Sequence, residues 1–320
     1  MIVETLTSPV ILFFVLGFAA ALVRSDLSIP EAFAKAMSIY LMASIGLKGG
    51  VEVSRSGLTP ELAAAAIAGL LLSLTLPFLA FALLTRFGGL ARIDAGAVAA
   101  HYGSVSVVTF VTARELLAAD RLEAAGFMVA VLAVMETPAI VSGLFLARRG
   151  ADPAARGSDG GTLHEILTNA SVVLLVGSFA IGLAGGEKGY AAVKPLFETG
   201  FRGVLCLFLL DMGLIAARRI TQSRKLTLRL VLLAVAMPLL HGGIGTMVGH
   251  AVGLDVASSA LLGVLAASAS YIAVPAAMRL ALPEADPGIY LSMSLGITFP
   301  FNILLGIPIY AAMARGVGLS

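Results

Sequence analysis

The feature that most constrains this chain is a succession of apolar runs, each about long enough for a helix to cross a lipid bilayer. Ten can be marked, at approximately 8–23, 30–48, 60–86, 94–117, 124–147, 163–184, 194–217, 227–252, 255–281 and 288–313. A helix needs about 20 apolar residues to span the hydrocarbon, whereas barrel strands alternate over about 10. These runs do not alternate. Charged residues make up 12% of the chain and the mean hydropathy is +0.99, against roughly a quarter charged in a soluble domain. The reading is an all-α polytopic membrane protein with ten transmembrane helices, embedded in a lipid bilayer. The net charge of +2, with no basic patch interleaved with aromatics, gives no reason to expect a nucleic-acid partner. One cysteine, Cys206, excludes an internal disulfide and a cysteine metal cluster; it reads as a packing residue. Met1-Ile2-Val3-Glu4 lacks the basic leader of a signal peptide, so the first span is expected to be retained.

Several runs open with Pro in a first turn, at Pro30, Pro60 and Pro287. Turn-like linkers at Ser25-Asp26 and at Gly185–Gly189 separate others. The longest polar stretch, 148–162, divides the chain into a first half, 1–147 (spans 1–5), and a second, 163–320 (spans 6–10). The halves share landmarks in order. Pro77 and Pro238 are 161 apart, as are Asp94 and Asp255, while Ser106 with Ser268 and Pro138 with Pro300 are 162 apart. A repeat with five spans must re-enter from the opposite side, so the repeat is inverted, as in many secondary transporters. With the N-terminus outside, loops on the cytoplasmic face carry 13 Lys and Arg and those on the other face 7. The positive-inside rule then places both termini outside the cytoplasm and the 148–162 linker inside.

Two spans, the fourth and the ninth, are interrupted in the middle. In Ala99–Phe110, Gly103 weakens the helix and Ser104 and Ser106 compete for backbone hydrogen bonds. A half-helix starting there presents free N–H groups and a positive dipole end at mid-membrane, an anion site without a charged side chain. Alternatively, the segment is a continuous helix whose small residues pack a neighbour. In Leu265–Pro275, Pro275 cannot bond the Tyr271 carbonyl, and Ser268 and Ser270 precede it. Paired interruptions in corresponding halves point to a binding site. The candidate anion site comprises Tyr102, Gly103, Ser104, Val105, Ser106, Ala267, Ser268, Ala269 and Ser270. Hydroxyls and freed carbonyls are hard oxygen donors suited to Na⁺. The cation candidates are Ser106, Thr109, Glu136, Thr137, Ser268, Ser270, Tyr271, Thr298 and Asn302.

Glu136 lies deep in the fifth span, where a carboxylate is costly and functional by default. It either binds a cation, carries a proton, partners a nearby helix end, or bonds the backbone freed by Pro138. Asp211 either touches the transport path or pairs with Arg202 on its own helix. His101 and His241 are membrane-embedded and lack the spacing of a zinc site. No nucleophile elbow, zinc-protease motif or phosphate-binding loop occurs. The chain is therefore not expected to be an enzyme or an ATP-driven pump, nor to need a cofactor beyond a coupling ion.

Taken together, Ile45–Gly50, Tyr102–Thr109, Glu136-Thr137-Pro138-Ala139, Ala266–Ser270 and Leu282–Pro287 leading to Tyr290 resemble the sodium-dependent bicarbonate transporter family, best known from cyanobacteria. The resemblance covers essentially the whole chain. It implies a symporter of bicarbonate and Na⁺ in a bacterial inner membrane, assembled as a homotrimer. It also implies a core domain of spans 3–5 and 8–10 that moves like an elevator against a gate domain of spans 1, 2, 6 and 7. Some relatives bind a cytoplasmic PII-like regulator, which the 148–162 linker could meet. The sequence departs from the family pattern at Val107, Val108 and Tyr271, which make the lining bulkier and less polar. That leaves room for another small organic anion, for H⁺ coupling, or for a non-transporting sensor of the same fold.

Overall fold

The structure, a computed structural model, describes residues 7–57, 59–149, 170–222, 226–271 and 273–317. The 148–162 linker beyond Arg149, the start of the sixth run and the extreme termini lie outside them. All regular structure among the described residues is helical. The first half holds α1 (Pro9–Leu22), α2 (Glu31–Ser56), α3 (Pro60–Arg86), α4 (Arg92–Gly103), α5 (Val107–Ala119), α6 (Met128–Glu136) and α7 (Pro138–Arg148). The second holds α8 (Ala170–Lys194), α9 (Phe201–Gln222), α10 (Leu228–Ala251), α11 (Val256–Ala267), α12 (Ala273–Ala281) and α13 (Pro287–Val317), the last with π-helical turns.

Among the described residues, five helical stretches are long and apolar enough to cross a membrane: α3, α4 with α5, α6 with α7, α10 and α13. A sixth is gained if the pair Val176–Thr199 and Phe201–Thr221, bent by 41°, counts as one span. The helices start where local chemistry predicts. Ser8, Thr59 and Thr227 cap α1, α3 and α10 through their hydroxyls, and the Asp255 carboxylate caps α11. The turn expected at Gly185–Gly189 is instead helical. Only Gly186 leaves the helical region, at φ 55°, a conformation open to glycine. The result is a kink within α8, and Glu187 beyond it pairs with Arg55 of α2 at 3.9 Å.

Packing follows a simple plan. Helix α1 lies on α9 and α2 on α8. Helix α3 packs against α4, α6 and α7, and α4 against α7. In the second half, α10 packs against α11 and α13, and α11 against α13. Glycines set the closest approaches. A Cβ on Gly17 would sit 2.0 Å from the Leu210 carbonyl oxygen and one on Gly213 2.2 Å from that of Phe14. Likewise a Cβ on Gly50 would sit 2.0 Å from the Phe179 oxygen and one on Gly182 2.1 Å from that of Leu47. Only glycine lets these backbones touch, the device by which helices associate in lipid.

Candidate functional site

Both interruptions are real, and they touch. Helix α4 ends at Gly103, where a Cβ would meet the Pro77 ring at 2.3 Å. The chain then runs extended through Ser104 (φ −89°, ψ 171°) and Ser106 (φ −113°, ψ 111°) before α5 begins. Ser104 Oγ donates to the Glu136 carbonyl at 2.8 Å, anchoring the break to the α6 terminus. Ser106 Oγ caps α5, accepting from Thr109 N–H at 3.2 Å and from the Thr109 hydroxyl at 2.9 Å. In the second half α11 ends at Ala267 and α12 begins at Ala273. Pro275 therefore lies in the first turn of α12, where its missing N–H would have had no helical partner. The break sits upstream of it, at the serines.

Two hydrogen bonds tie the breaks together. Ser106 N–H donates to Ser268 Oγ at 3.0 Å, and Ser270 N–H donates to the His101 carbonyl at 2.9 Å. Ser268 Oγ in turn donates to the Leu265 carbonyl at 2.8 Å. Two of the backbone donors that the sequence suggested for an anion are thus engaged in joining the halves. The positive end of α5 remains directed at a cavity, because its first residues, Val107 and Val108, line it.

That cavity is narrow, about 20 Å³, room for about one water. One wall comes from the breaks and α5, with Val105, Ser106, Val107, Val108, Val111, Ser270, Tyr271 and Ala273. Glu136 adds the single charged group. The opposite wall comes from α2 and α9, with Ser38, Leu41, Met42 and Phe208. Glu136 is 3% exposed, and its Oε2 has no hydrogen-bond partner among the described residues. The Tyr271 hydroxyl is likewise buried without a partner in hydrogen-bonding geometry, and its ring stands edge-on to Phe299 at 5.2 Å. Two such buried polar atoms on one small cavity are groups that a cation or a small polar ligand could satisfy.

The other candidates serve the scaffold around it. Thr298 Oγ1 donates to the Ala234 carbonyl at 2.6 Å, so the Tyr102 hydroxyl, 2.5 Å away, donates to Thr298. Asn302 Nδ2 donates to the Ala267 carbonyl at 2.9 Å, and its Oδ1 accepts from the Tyr310 hydroxyl at 3.1 Å. Together they hold the ends of α4 and α11. Tyr102, Gly103, Ser104, Thr109, Thr137, Ala267, Ser268, Ala269, Thr298 and Asn302 do not line the cavity. His241 Nδ1 donates to the Tyr102 carbonyl at 3.2 Å and His101 Nδ1 to that of Ala97 at 2.7 Å, since a carbonyl can only accept. His101 also stacks on Tyr290, with ring centroids 4.6 Å apart. Arg202 pairs with Glu115 at 2.5 Å rather than with Asp211.

Sequence reasoning missed the wall from α2 and α9. Ser38, Leu41 and Met42 share one helical face at i, i+3, i+4 spacing, but an apolar stripe on a membrane helix reads equally well as a lipid-facing surface.

Above the cavity lies a vestibule of about 460 Å³, lined by Lys48, Glu52 and Arg55 of α2, Arg114, Glu115 and Ala118 of α5, and Glu123 and Glu198 among others. Val111 lines both spaces. No group of three or more His, Cys, Asp or Glu side chains placed to hold a metal occurs among the described residues. A family model, the Na⁺-dependent bicarbonate transporter superfamily, matches residues 9–315. No curated protein matches the chain.

Proposed function

The chain belongs to the Na⁺-dependent bicarbonate transporter superfamily, and from that premise we propose that it imports bicarbonate together with Na⁺ as a secondary active transporter. The observation that carries the proposal is the cavity beside the two breaks, where Glu136 Oε2 and the Tyr271 hydroxyl have no hydrogen-bond partner among the described residues. Glu136, Tyr271, Ser106 and Ser270 are the groups that would take Na⁺, and the N-terminal end of α5 would face the anion once α5 draws away from α2 and α9 and widens a cavity that here admits about one water. Binding the cation beside the anion neutralises the pair, which lowers the cost of holding either in a low-dielectric interior.

The transport cycle we propose is an elevator movement. Helices α3–α7 and α10–α13 form the moving core, and α1, α2, α8 and α9 form the gate. The packing supports this division, because the breaks are held by hydrogen bonds within the first group while α1–α9 and α2–α8 close on glycine contacts within the second. It also supports ten spans in an inverted repeat. Exchanging the halves turns the α1–α9 contact into α8–α2 and the α3–α4 contact into α10–α11. A homotrimer in a bacterial inner membrane, with both termini outside and a PII-like protein regulating from the cytoplasm, completes the reading.

The test is uptake of radiolabelled bicarbonate into proteoliposomes with and without an inward Na⁺ gradient. We expect uptake that requires Na⁺ and is lost in Glu136→Gln, while that variant stays folded. Uptake indifferent to Na⁺ refutes the coupling, and uptake of a different anion in place of bicarbonate refutes the substrate. The apolar wall of Leu41, Met42, Val107, Val108, Val111 and Phe208 favours a second reading, a small organic anion driven by Na⁺ or H⁺. Competition of bicarbonate uptake by monocarboxylates separates the two. A tight cytoplasmic partner without measurable flux of any anion would mark a sensor of the same fold.

A further inference from the structure

Two adjacent residues of α5 reach in different directions to two different helices. Arg114 Nη2 meets Glu52 of α2 at 3.3 Å, and Glu115 meets Arg202 Nε of α9 at 2.5 Å. The pairs have opposite polarity, so α5 presents a cation to one helix and an anion to the other. Helix α5 packs chiefly on α11 and α13, so these charges reach outside its main packing partners. Glu52 is held on a second side as well, because a Cβ on Gly126 would lie 1.7 Å from its Oε2. Glu52, Arg114 and Glu115 all border the vestibule, which shares Val111 with the cavity.

We propose that Arg114 and Glu115 form a double ion-pair latch that holds α5 against α2 and α9 in the state with the vestibule open, and that must release before α5 can move past them. The inference rests on the elevator reading above. Partly exposed pairs of this kind are individually weak and screened by salt. That suits a latch, which has to open in every cycle. A third pair, Arg315 with Asp120, also ends on α5 but joins it to α13. Both helices belong to the same proposed moving unit, so this pair should not report on the movement and provides an internal control.

The experiment reads the position of α5 without requiring transport. Ala118→Cys, an exposed position of α5 on the vestibule, is placed in a Cys206→Ala background, and its reaction rate with a small membrane-impermeant methanethiosulfonate is measured from the vestibule side. Neutralising both pairs with Arg114→Gln and Glu115→Gln should lower that rate about ten-fold, and neutralising one pair about three-fold. Exchanging charges with Glu115→Arg and Arg202→Glu should restore it to within about two-fold of the parent. Asp120→Asn should leave it unchanged. If saturating Na⁺ and bicarbonate shift the rate but the double neutralisation does not, or if Asp120→Asn acts equally, the latch is wrong and the elevator stands. If neither ligands nor latch variants change the rate, the helices do not move against one another, and both the latch and the elevator reading fall.

Discussion

At the scale of single residues, the site is defined by what its side chains lack. Tyr271 is 8% exposed and its hydroxyl finds no partner in hydrogen-bonding geometry. Removing an unpartnered hydroxyl sacrifices no protein–protein bond. Tyr271→Phe should therefore leave thermal stability within about 0.5 kcal/mol. A hydrogen bond or contact to an ion is worth about 1.5–3 kcal/mol, so the apparent Na⁺ affinity, read from the Na⁺ dependence of uptake, should fall at least about ten-fold. Thr298 is the opposite case. It relays the Tyr102 hydroxyl to the Ala234 carbonyl, and Thr298→Val leaves both without it in the interior. That costs about 1–3 kcal/mol, measurable as a lower melting temperature in detergent, while the cavity wall keeps all its residues. The sequence singled out both positions as oxygen donors and could not separate them, because hydroxyl chemistry is the same and only the neighbours differ. Asp211 and Arg202 show the same limit. They lie on one helix, but Arg202 is drawn to Glu115, a residue 87 positions away.

At the scale of elements, interruptions and close approaches were legible to different degrees. The first break was suggested by Gly103 and two serines, which undercut the helix locally, but the same small residues also fitted a continuous helix packed on a neighbour, and only its partner in the second half tipped the reading. The second was legible through Ser268 and Ser270, not through Pro275, whose position in the first turn of α12 fits a helix. The glycines of α1 and α9 could not be told from other small residues until the helices met. Gly213 now makes a sharp prediction. A leucine there would drive into the Phe14 carbonyl and the α1 backbone, which cannot yield as a side chain can. Gly213→Leu should separate α1 from α9 and cost about 1–3 kcal/mol or more. Gly243→Leu, where a Cβ meets nothing within 4 Å, should leave the melting temperature unchanged.

At the scale of the whole molecule, the contact plan repeats between halves, and the proposed inverted topology makes the equivalent loops face opposite sides. Ala91 precedes α4 and Ala251 ends α10; both are exposed. In a Cys206→Ala background, Ala91→Cys should react with an impermeant thiol reagent only from the cytoplasmic face and Ala251→Cys only from the outer face. Labelling of both from one side would contradict the inversion. The sequence alone determined that this is a helical membrane protein and pointed to where two helical runs are interrupted. Those properties are written locally, in runs of apolar residues and in backbone donors that nearby side chains can satisfy or displace. Only the tertiary structure decided which residues line the candidate cavity. Ser106 meets Ser268 across 162 positions, and the far wall comes from α2 and α9, helices whose apolar faces carry no mark of what they face. In lipid every such face is equally well solvated, so the choice of partner is made by shape and by the few polar groups that must be satisfied.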